Sequence, residues 1–538
     1  MRTTKFQSPA IALTACVLSL SISGPASPHD EPGKLGKVNL TVSCRAEIQQ
    51  GFNTAVAMLH NFWYPQSVNA FNELAKADPG CAMVYWGIAV GERTNPLVGA
   101  PPAALVKRGS EAIAKAKTLE SQTQRERDYI AAMDVYYKDW DKLEYGTRVL
   151  AYEKAMEELS RRYPEDSEAA LFYALALNEA ITVSPADKTY SRHLKAAAIC
   201  AKVLAKNPDH PGALHYQIHS YDNPALATRG VTAADRYGSV ATSAPHALHM
   251  PSHVYSMLGM WQESIESNRA ALGVAKSYVH AMDFTAYAYL QMAQDRQAER
   301  LMNESLSLQK GAGGAIQRSP TGGVLSVYTA YAALPARFAI ERGAWAEAAA
   351  LELRPTAPPA DAITHFTRAM GFAWLGDIAN ARKDIDKLQA LREELTNSKQ
   401  EYWAEQVDIQ RKAATAWVAQ AEGKKADALT LMRSAADLED ASEKSPVMEN
   451  RLWPMRELLG ELLLEQNQPA LALKEFEASL GNARNRLRGF YGAAKAAEMM
   501  GDQGKATGYY EKVLALTKSA DSERLEIQRA KTFLAAAR

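Results

Sequence analysis

The sequence predicts an all-α fold, a right-handed solenoid of antiparallel helix pairs stacked side by side. Two observations predict it. Chemically similar residues recur at a spacing of 34: His215 and His219 return as His249 and His253, His246 returns as His280, and the same shift carries His249 to Asp283 and His253 to Tyr287. Near the C-terminus, small and aromatic residues follow the same shift, with Gly460, Ala472 and Phe476 in one unit and Ala494, Ala506 and Tyr510 in the next. A period of this length fits one helix–turn–helix unit, which buries its apolar face only by stacking on neighbours. Length agrees, because 538 residues exceed one ordinary core whereas a solenoid grows by adding units.

The first element is an expected export signal over residues 1–26. Arg2 and Lys5 precede an apolar run from Ala10 to about Ile22, and Ser23-Gly24-Pro25-Ala26-Ser27 supplies a small-residue cleavage zone, with cleavage placed after Ala26. The run is shorter than the ~20 residues a spanning helix needs. Leu13-Thr14-Ala15-Cys16 resembles a lipoprotein cleavage box, but the apolar run continues past Cys16. No later segment is long and apolar enough to span a bilayer, so the mature chain is expected in the periplasm or outside the cell. Residues 27–43 are largely polar with Gly and Pro, and are expected to form a flexible leader. Removal of the signal leaves Cys44, Cys81 and Cys200. An oxidising compartment permits a Cys44–Cys81 disulfide. Two buried free thiols are the alternative, because pairing is not readable from spacing. Cys200 sits at a helix-packing phase, as a small core residue.

From Cys44 onward the pattern is helix, short turn, helix. Ser67, Phe71 and Pro79 fit the second half of one unit, and Ala196, Cys200, Val203 and Pro208 fit another. Gly376 with Ala381 and Gly423 with Ala428 mark units 47 apart, which implies longer helices. Turns are expected at Asn467 and Gly501. Three stretches break the pattern and read as loops: Gly311-Ala312-Gly313-Gly314, Ser319-Pro320-Thr321-Gly322-Gly323 and Arg354-Pro355-Thr356-Ala357-Pro358-Pro359. They divide the chain into an N-terminal array over 44–310, an irregular connection with helices over 311–360, and a C-terminal array over 361–538. No strand or GxxxxGK[ST] pattern accompanies the glycines, so they do not read as a phosphate cradle.

The small, small and aromatic slots, with their turn positions, resemble the tetratricopeptide repeat superfamily over most of the mature chain. The stretches Leu214-His215-Tyr216-Gln217-Ile218-His219 and Leu248-His249-Met250-Pro251-Ser252-His253-Val254-Tyr255 resemble those of a group of exported bacterial tetratricopeptide proteins. His60-Asn61-Phe62-Trp63-Tyr64 and Cys81-Ala82-Met83-Val84-Tyr85-Trp86-Gly87 are similar as well. Asn95 stands before Pro96-Leu97, where such proteins often carry His. The resemblance implies a fold and no activity.

Three anchors fix the repeat register independently of the histidines. Pro208 as a unit-closing proline, Gly259 as a turn residue and Ala298 as a small second-helix residue each place His215, His249 and Asp283 at the fifth position of a unit. His219, His253 and Tyr287 then fall at the ninth, and His246 and His280 at the second. The resemblance implies that these positions line the concave groove. His215 and His219, like His249 and His253, are four apart and stack on one helix face. Pro251 is expected to start its helix, with His249 just before the first turn. First helices of successive units pack about 8–10 Å apart, so their imidazoles can meet at one ion. His215, His219, His249, His253, His280 and Asp283 are therefore the candidate metal ligands. His246, Tyr216, Tyr255 and Tyr287 are expected around them in the groove. Such donors suit Zn, Cu, Ni or Fe, and the absence of thiolates from the grid argues against a Cys-type structural zinc site. A metal-free acid/base site and a hydrogen-bonded polar core are the alternatives.

Charge narrows the function classes. Lys+Arg and Asp+Glu are both 61, for zero formal charge, and no basic run is interleaved with aromatics, so nucleic acid is not an expected partner. No HExxH, GxSxG or catalytic-cysteine signature occurs. The sequence thus points to a metal-binding or delivery protein. Whether it is also an enzyme stays open. Catalysis would have the ion activate water or oxygen, with Asp283 or a free histidine carrying the proton. The alternative is a metal-free scaffold that holds a protein or peptide in the groove. His60 is expected to pack against the aromatic cluster Phe62, Trp63 and Tyr64. His193, His210 and His365 are expected at the surface, and Glu92 and Glu179 have no assigned role.

Overall fold

The computed structural model describes Met1 and residues 34–119, 123–311, 318–446, 448 and 451–537. The expected export signal with its cleavage zone, Cys16 and residues 312–314 of the glycine run lie outside the described residues. Among the described residues every regular element is a helix, and none is long and apolar enough to cross a membrane.

Successive helices pair across short turns into a tetratricopeptide-like solenoid. In the C-terminal array, Met455–Glu465 pairs with Pro469–Asn482, and Leu487–Met499 with Gln503–Leu516. Asn467 (φ 58°) and Gly501 (φ 74°) adopt the left-handed conformation that ends a helix and reverses the chain, at the expected spacing of 34. Gly259 (φ 68°) and Ala293 (φ 54°) repeat it in the N-terminal array. The aromatic slot works as the sequence implies. A Cβ on Gly460 would lie 2.9 Å from the Phe476 ring and one on Gly492 only 2.3 Å, so Phe476 fills the gap between two units. The units spaced by 47 hold the long helices Ile378–Asn397 and Glu401–Ala421.

Some expectations need correcting. Residues 34–43 are not a free leader. Leu35 and Leu40 are buried, Leu35 O accepts from Asn61 Nδ2 at 2.9 Å, and Leu40 N donates to Asn53 Oδ1 at 3.1 Å. Apolar residues spaced through a polar stretch strap it to the first helices. Cys44 and Cys81 are joined in a disulfide, with Cα atoms 5.2 Å apart, at the end of this strap. Cys200 is a buried free thiol. Pro358 and Pro359 do not continue the loop before them but open the Pro358–Trp374 helix. Proline is tolerated there because the first helical N–H groups have no acceptor within the helix.

From Lys34 onward the chain is one unit, because the C-terminal helices return to the N-terminal array. Trp261 Nε1 donates to Asn485 O at 2.8 Å. Buried Arg486 donates to Tyr287 and pairs with Glu341 and Glu457, both at 2.9 Å. Arg524 pairs with Asp295. The segment after the Lys425–Ala441 helix reaches across the same way, with Lys188 against Glu443 at 3.3 Å and Lys444 against Asp222. Except for the half-exposed Lys188, these charges are buried and must be paired and hydrogen-bonded to be tolerated, so they fix how the two arrays meet.

Candidate metal centre

Four helices carry the grid histidines to one interior spot. Pro211–Ser220 brings His215 and His219, and Val279–Gln291 brings His280. Between them, Pro245–His249 and Pro251–Leu258 bring His246, His249 and His253. Pro251 has no N–H to donate and so interrupts the ladder. Met250 nevertheless stays helical (φ −55°, ψ −34°), so the two segments remain nearly continuous. His249 thus ends a short helix rather than preceding one, and keeps its i,i+4 relation to His253. Each of Pro211, Pro245 and Pro251 opens its helix.

The histidines form two triads. One ring nitrogen from each of His215, His219 and His246 lies within 4.8 Å of the others, and the same holds for His249, His253 and His280. Ring centroids are 4.7 Å apart for His215–His219 and 5.0 Å for His215–His246. In the second triad they are 4.9 Å apart for His249–His253 and 4.8 Å for His249–His280. The triads adjoin, with centroids 5.9 Å apart for His246–His249 and 6.2 Å for His219–His253. The Phe62 ring lies over His219, His246 and the edge of His215. Phe284 packs on His249, His253 and His280. All six imidazoles are 0–8% exposed. They do not line an open groove as the sequence implied, because the Asn61–Phe62 turn and the Lys444 segment cover them.

Hydrogen bonds fix several ring tautomers. His249 Nδ1 lies 2.6 Å from Asn268 Oδ1, whose own Nδ2 donates to Ser264 O at 2.8 Å. His253 Nδ1 lies 2.8 Å from Asp222 Oδ2. Both partners are acceptors, so both Nδ1 atoms carry hydrogen and both Nε2 atoms present lone pairs. Those Nε2 atoms face each other at 3.0 Å. His215 Nδ1 donates to the backbone carbonyl of His60 at 2.6 Å, and the Tyr278 hydroxyl lies 3.0 Å from His246 Nδ1. The Nε2 atoms of His215, His219 and His246, and Nδ1 of His280, are buried without a partner.

Burial and the neighbouring imidazoles keep these rings uncharged. Desolvation pushes His215 down to about 3. It carries His219, His246, His249 and His280 well below the ordinary histidine value, with mutual repulsion adding to it. His253 is lowered as well, although Asp222 opposes the shift. Burial disfavours the charged form of Asp222, but Lys444 and the His253 hydrogen bond outweigh it and hold the carboxyl below its usual range. Lys444 Nζ lies 3.0 and 3.3 Å from the two Asp222 oxygens. Neutral imidazoles with buried, unshared lone pairs fit a borderline transition metal. A tetrahedral ion with bonds of about 2.0–2.1 Å holds its nitrogen ligands about 3.3 Å apart.

Other sequence-selected residues lie elsewhere. Asp283 is not grouped with the imidazoles; its Oδ1 accepts from Arg337 Nε at 3.1 Å. The carboxylate at the site is Asp222. Tyr287 faces Arg486, and Tyr255 donates to Asp235 at 2.8 Å. Tyr216 meets His60 Nδ1 at 2.9 Å. His246, expected around the ligands, stands with His215 and His219. His210 is not a surface residue: it and His60 grip buried Glu168, at 2.9 and 2.6 Å. That group offers no free donor set, because both Glu168 oxygens and both His60 nitrogens are engaged. The disulfide likewise withdraws Cys44 and Cys81 from the ligand group they would form with Asp78. His365 is half-buried on Asp384, at 2.6 Å. Glu92 pairs with Arg108, and Glu179 with Arg93.

Sequence reasoning missed Asp222, Asn268, Tyr278, Lys444, Phe62 and Phe284. Asp222 was within reach, three residues after His219 and just past the end of its helix. Lys444 was not, because nothing local ties it to Asp222, over 200 residues earlier.

No protein-family model matches the chain, and no curated protein matches it. Solved structures similar to it include the Cut9–Hcn1 hetero-tetramer of the APC/C, at 12% identity, 91% of this chain, 89% of that chain and a TM-score of 0.32. The human IFIT1 dimer with PPP-AAAA is similar at 13% identity, 86% and 89% coverage and a TM-score of 0.36. A tetratricopeptide repeat protein from Parabacteroides merdae ATCC 43184 is similar at 10% identity, 76% and 98% coverage and a TM-score of 0.23.

Proposed function

We propose that the chain is an exported tetratricopeptide-like solenoid that binds a first-row transition metal in its interior histidine cluster, in a binding or delivery role. One observation carries this reading: His249 Nε2 and His253 Nε2 face each other at 3.0 Å while both Nδ1 atoms are committed to acceptors. Facing lone pairs repel unless a cation lies between them. Asp222 and Asn268 orient the two rings as outer partners of metal-bound histidine commonly do. Six imidazoles without thiolate suit zinc, copper, nickel or iron. The Cys44–Cys81 disulfide supports an oxidising compartment.

Elemental analysis tests the reading, on protein exported with its own signal and purified without chelator or His tag, beside a His249→Ala/His253→Ala variant. Stoichiometric metal in the wild type and its loss in the variant are expected. No metal in either, with reconstitution by zinc, copper, nickel and iron also failing, would falsify it.

A cleft in the C-terminal array favours a second reading, a protein-interaction scaffold. Its volume is about 570 Å³, and Glu477, Arg484, Phe490, Tyr509 and Lys512 line it. Aromatic faces beside charges of both signs suit an extended peptide. Under this reading a peptide selected on the full chain loses affinity on Tyr509→Ala and keeps it in the His249→Ala/His253→Ala variant. The reverse pattern would remove the cleft as its site.

A further inference from the structure

We infer that the six histidines hold two ions rather than one, in adjoining three-imidazole sites that share a small exogenous anion. The inference rests on the metal reading above. The triads have no member in common, and each brings its nitrogens within 4.8 Å without the other. A single octahedral ion with bonds of about 2.0–2.1 Å would gather all six nitrogens within about 4.2 Å of one another, whereas they come together as two separate sets of three. The first triad carries an independent demand for an ion. Nε2 of His215, of His219 and of His246 are all buried with no protein partner, while His215 Nδ1 is held by the His60 carbonyl. An ion in the second triad leaves those three nitrogens as they were. Separate walls, Phe62 over one triad and Phe284 over the other, shape two compartments rather than one.

Three imidazoles per ion are the donor count of a site that keeps one position for an outside ligand. Charge selects that ligand. The charged side chains acting on the imidazoles are Asp222 and Lys444, which cancel each other. Two divalent ions would therefore bring positive charge into a buried site that the protein does not neutralise. Hydroxide or another small inorganic anion held by both ions supplies the missing charge, and the contact between His246 and His249 places the two sites side by side.

Full-length protein stripped with chelator is titrated with zinc chloride, freed of unbound metal by gel filtration and counted by elemental analysis. Two ions per chain are expected for the wild type and one each for His246→Ala and His280→Ala. One ion in the wild type overturns the inference and leaves metal binding in place, whereas none overturns metal binding itself. The wild-type count stands even if a variant fails to fold. Copper(II) loading tests the shared anion. Two copper ions bridged by hydroxide couple magnetically, so the integrated electron-spin signal is expected well below one spin per copper, and full in His246→Ala. A full signal from a two-copper wild type overturns the shared ligand.

Discussion

His60 and His210 are buried as deeply as the six histidines beside them, in the same array and among the same kinds of aromatic neighbour. Their nitrogens converge on one carboxylate, whereas each of the six turns one nitrogen toward its fellow imidazoles. Glu168 takes His60 on one oxygen and His210 on the other, and Tyr216 takes the second nitrogen of His60. Only His210 Nδ1 is left over in that group, against four unpartnered ring nitrogens in the triads. Burial alone therefore does not mark a ligand site. The difference lies in whether the protein answers the donors it buries, because an unanswered polar atom costs free energy that a structural network avoids. The two regions are also joined, since the backbone carbonyl of His60 orients His215. The completed cluster is a platform for the uncompleted ones.

Acid should separate the two regions most strongly in metal-free protein. The triad histidines have folded-state values below the free histidine value, so between the two the unfolded chain binds protons that the fold does not. Stability contributed by their neutrality is complete above about pH 6.5 and falls as pH drops below it, by up to about 1.4 kcal/mol per pH unit for each group. Glu168 has a lowered folded-state value, so its contribution holds above the free carboxylate value and is lost only in stronger acid. Urea unfolding of chelated protein from pH 7.5 to 2.5 is expected to fall in two stages, the first below about pH 6.5 and the second below about pH 4.3. A flat profile down to pH 5 would show that the triads are not held neutral.

Removing the carboxylate from the completed cluster is the next largest effect. Glu168→Ala leaves two buried imidazoles facing a void without their acceptor, and each polar group left unsatisfied in this way costs about 1–3 kcal/mol. The loss is read from the urea midpoint of metal-free protein. A loss under about 1 kcal/mol would mean that the cluster is not structural. Metal should do the opposite and act only on the triads. Free ion at 100 times its dissociation constant adds about 2.7 kcal/mol. That shift is expected in wild type and in His365→Ala, and absent in His249→Ala/His253→Ala. An equal shift in the double variant would place the ion elsewhere.

How much of this was legible follows from which forces are local. The period of 34 exposed the hairpins, the turns at Asn467 and Gly501, and the fit of Phe476 against Gly460, because these depend on residues one unit apart. The same period brought out five of the six clustered imidazoles as candidate ligands and His246 beside them. It failed at Asp283, since repeat phase fixes where a Cα lies and not what its side chain meets. Arg337, one helix pair further on, claims that carboxylate. It failed also at His210, whose burial depends on Glu168 from a neighbouring helix, and at Lys444, which arrives only because the solenoid curls back on itself. Covering segments of this sort turned an expected open groove into an interior.

Asp222 is where the comparison between the two regions is finest. It plays toward His253 the part that Glu168 plays toward His60, but where Tyr216 takes the second nitrogen of His60, the second nitrogen of His253 faces only His249. Its other partner, Lys444, belongs to the opposite arm of the chain. Asp222→Asn keeps the shape and an acceptor for His253 Nδ1 while removing the charge that makes the ring a better donor. If the carboxylate serves the metal, affinity measured against a competing chelator should fall about 10–100-fold with the ion count unchanged, as for other outer partners of metal-bound histidine. Unchanged affinity with a lower urea midpoint would make Asp222 a tether for Lys444 alone. Lys444→Met separates the two roles from the other side. It removes the tether and leaves the carboxylate on His253, so a loss of affinity in Asp222→Asn that Lys444→Met does not reproduce assigns the effect to the ring and not to the closure of the arms.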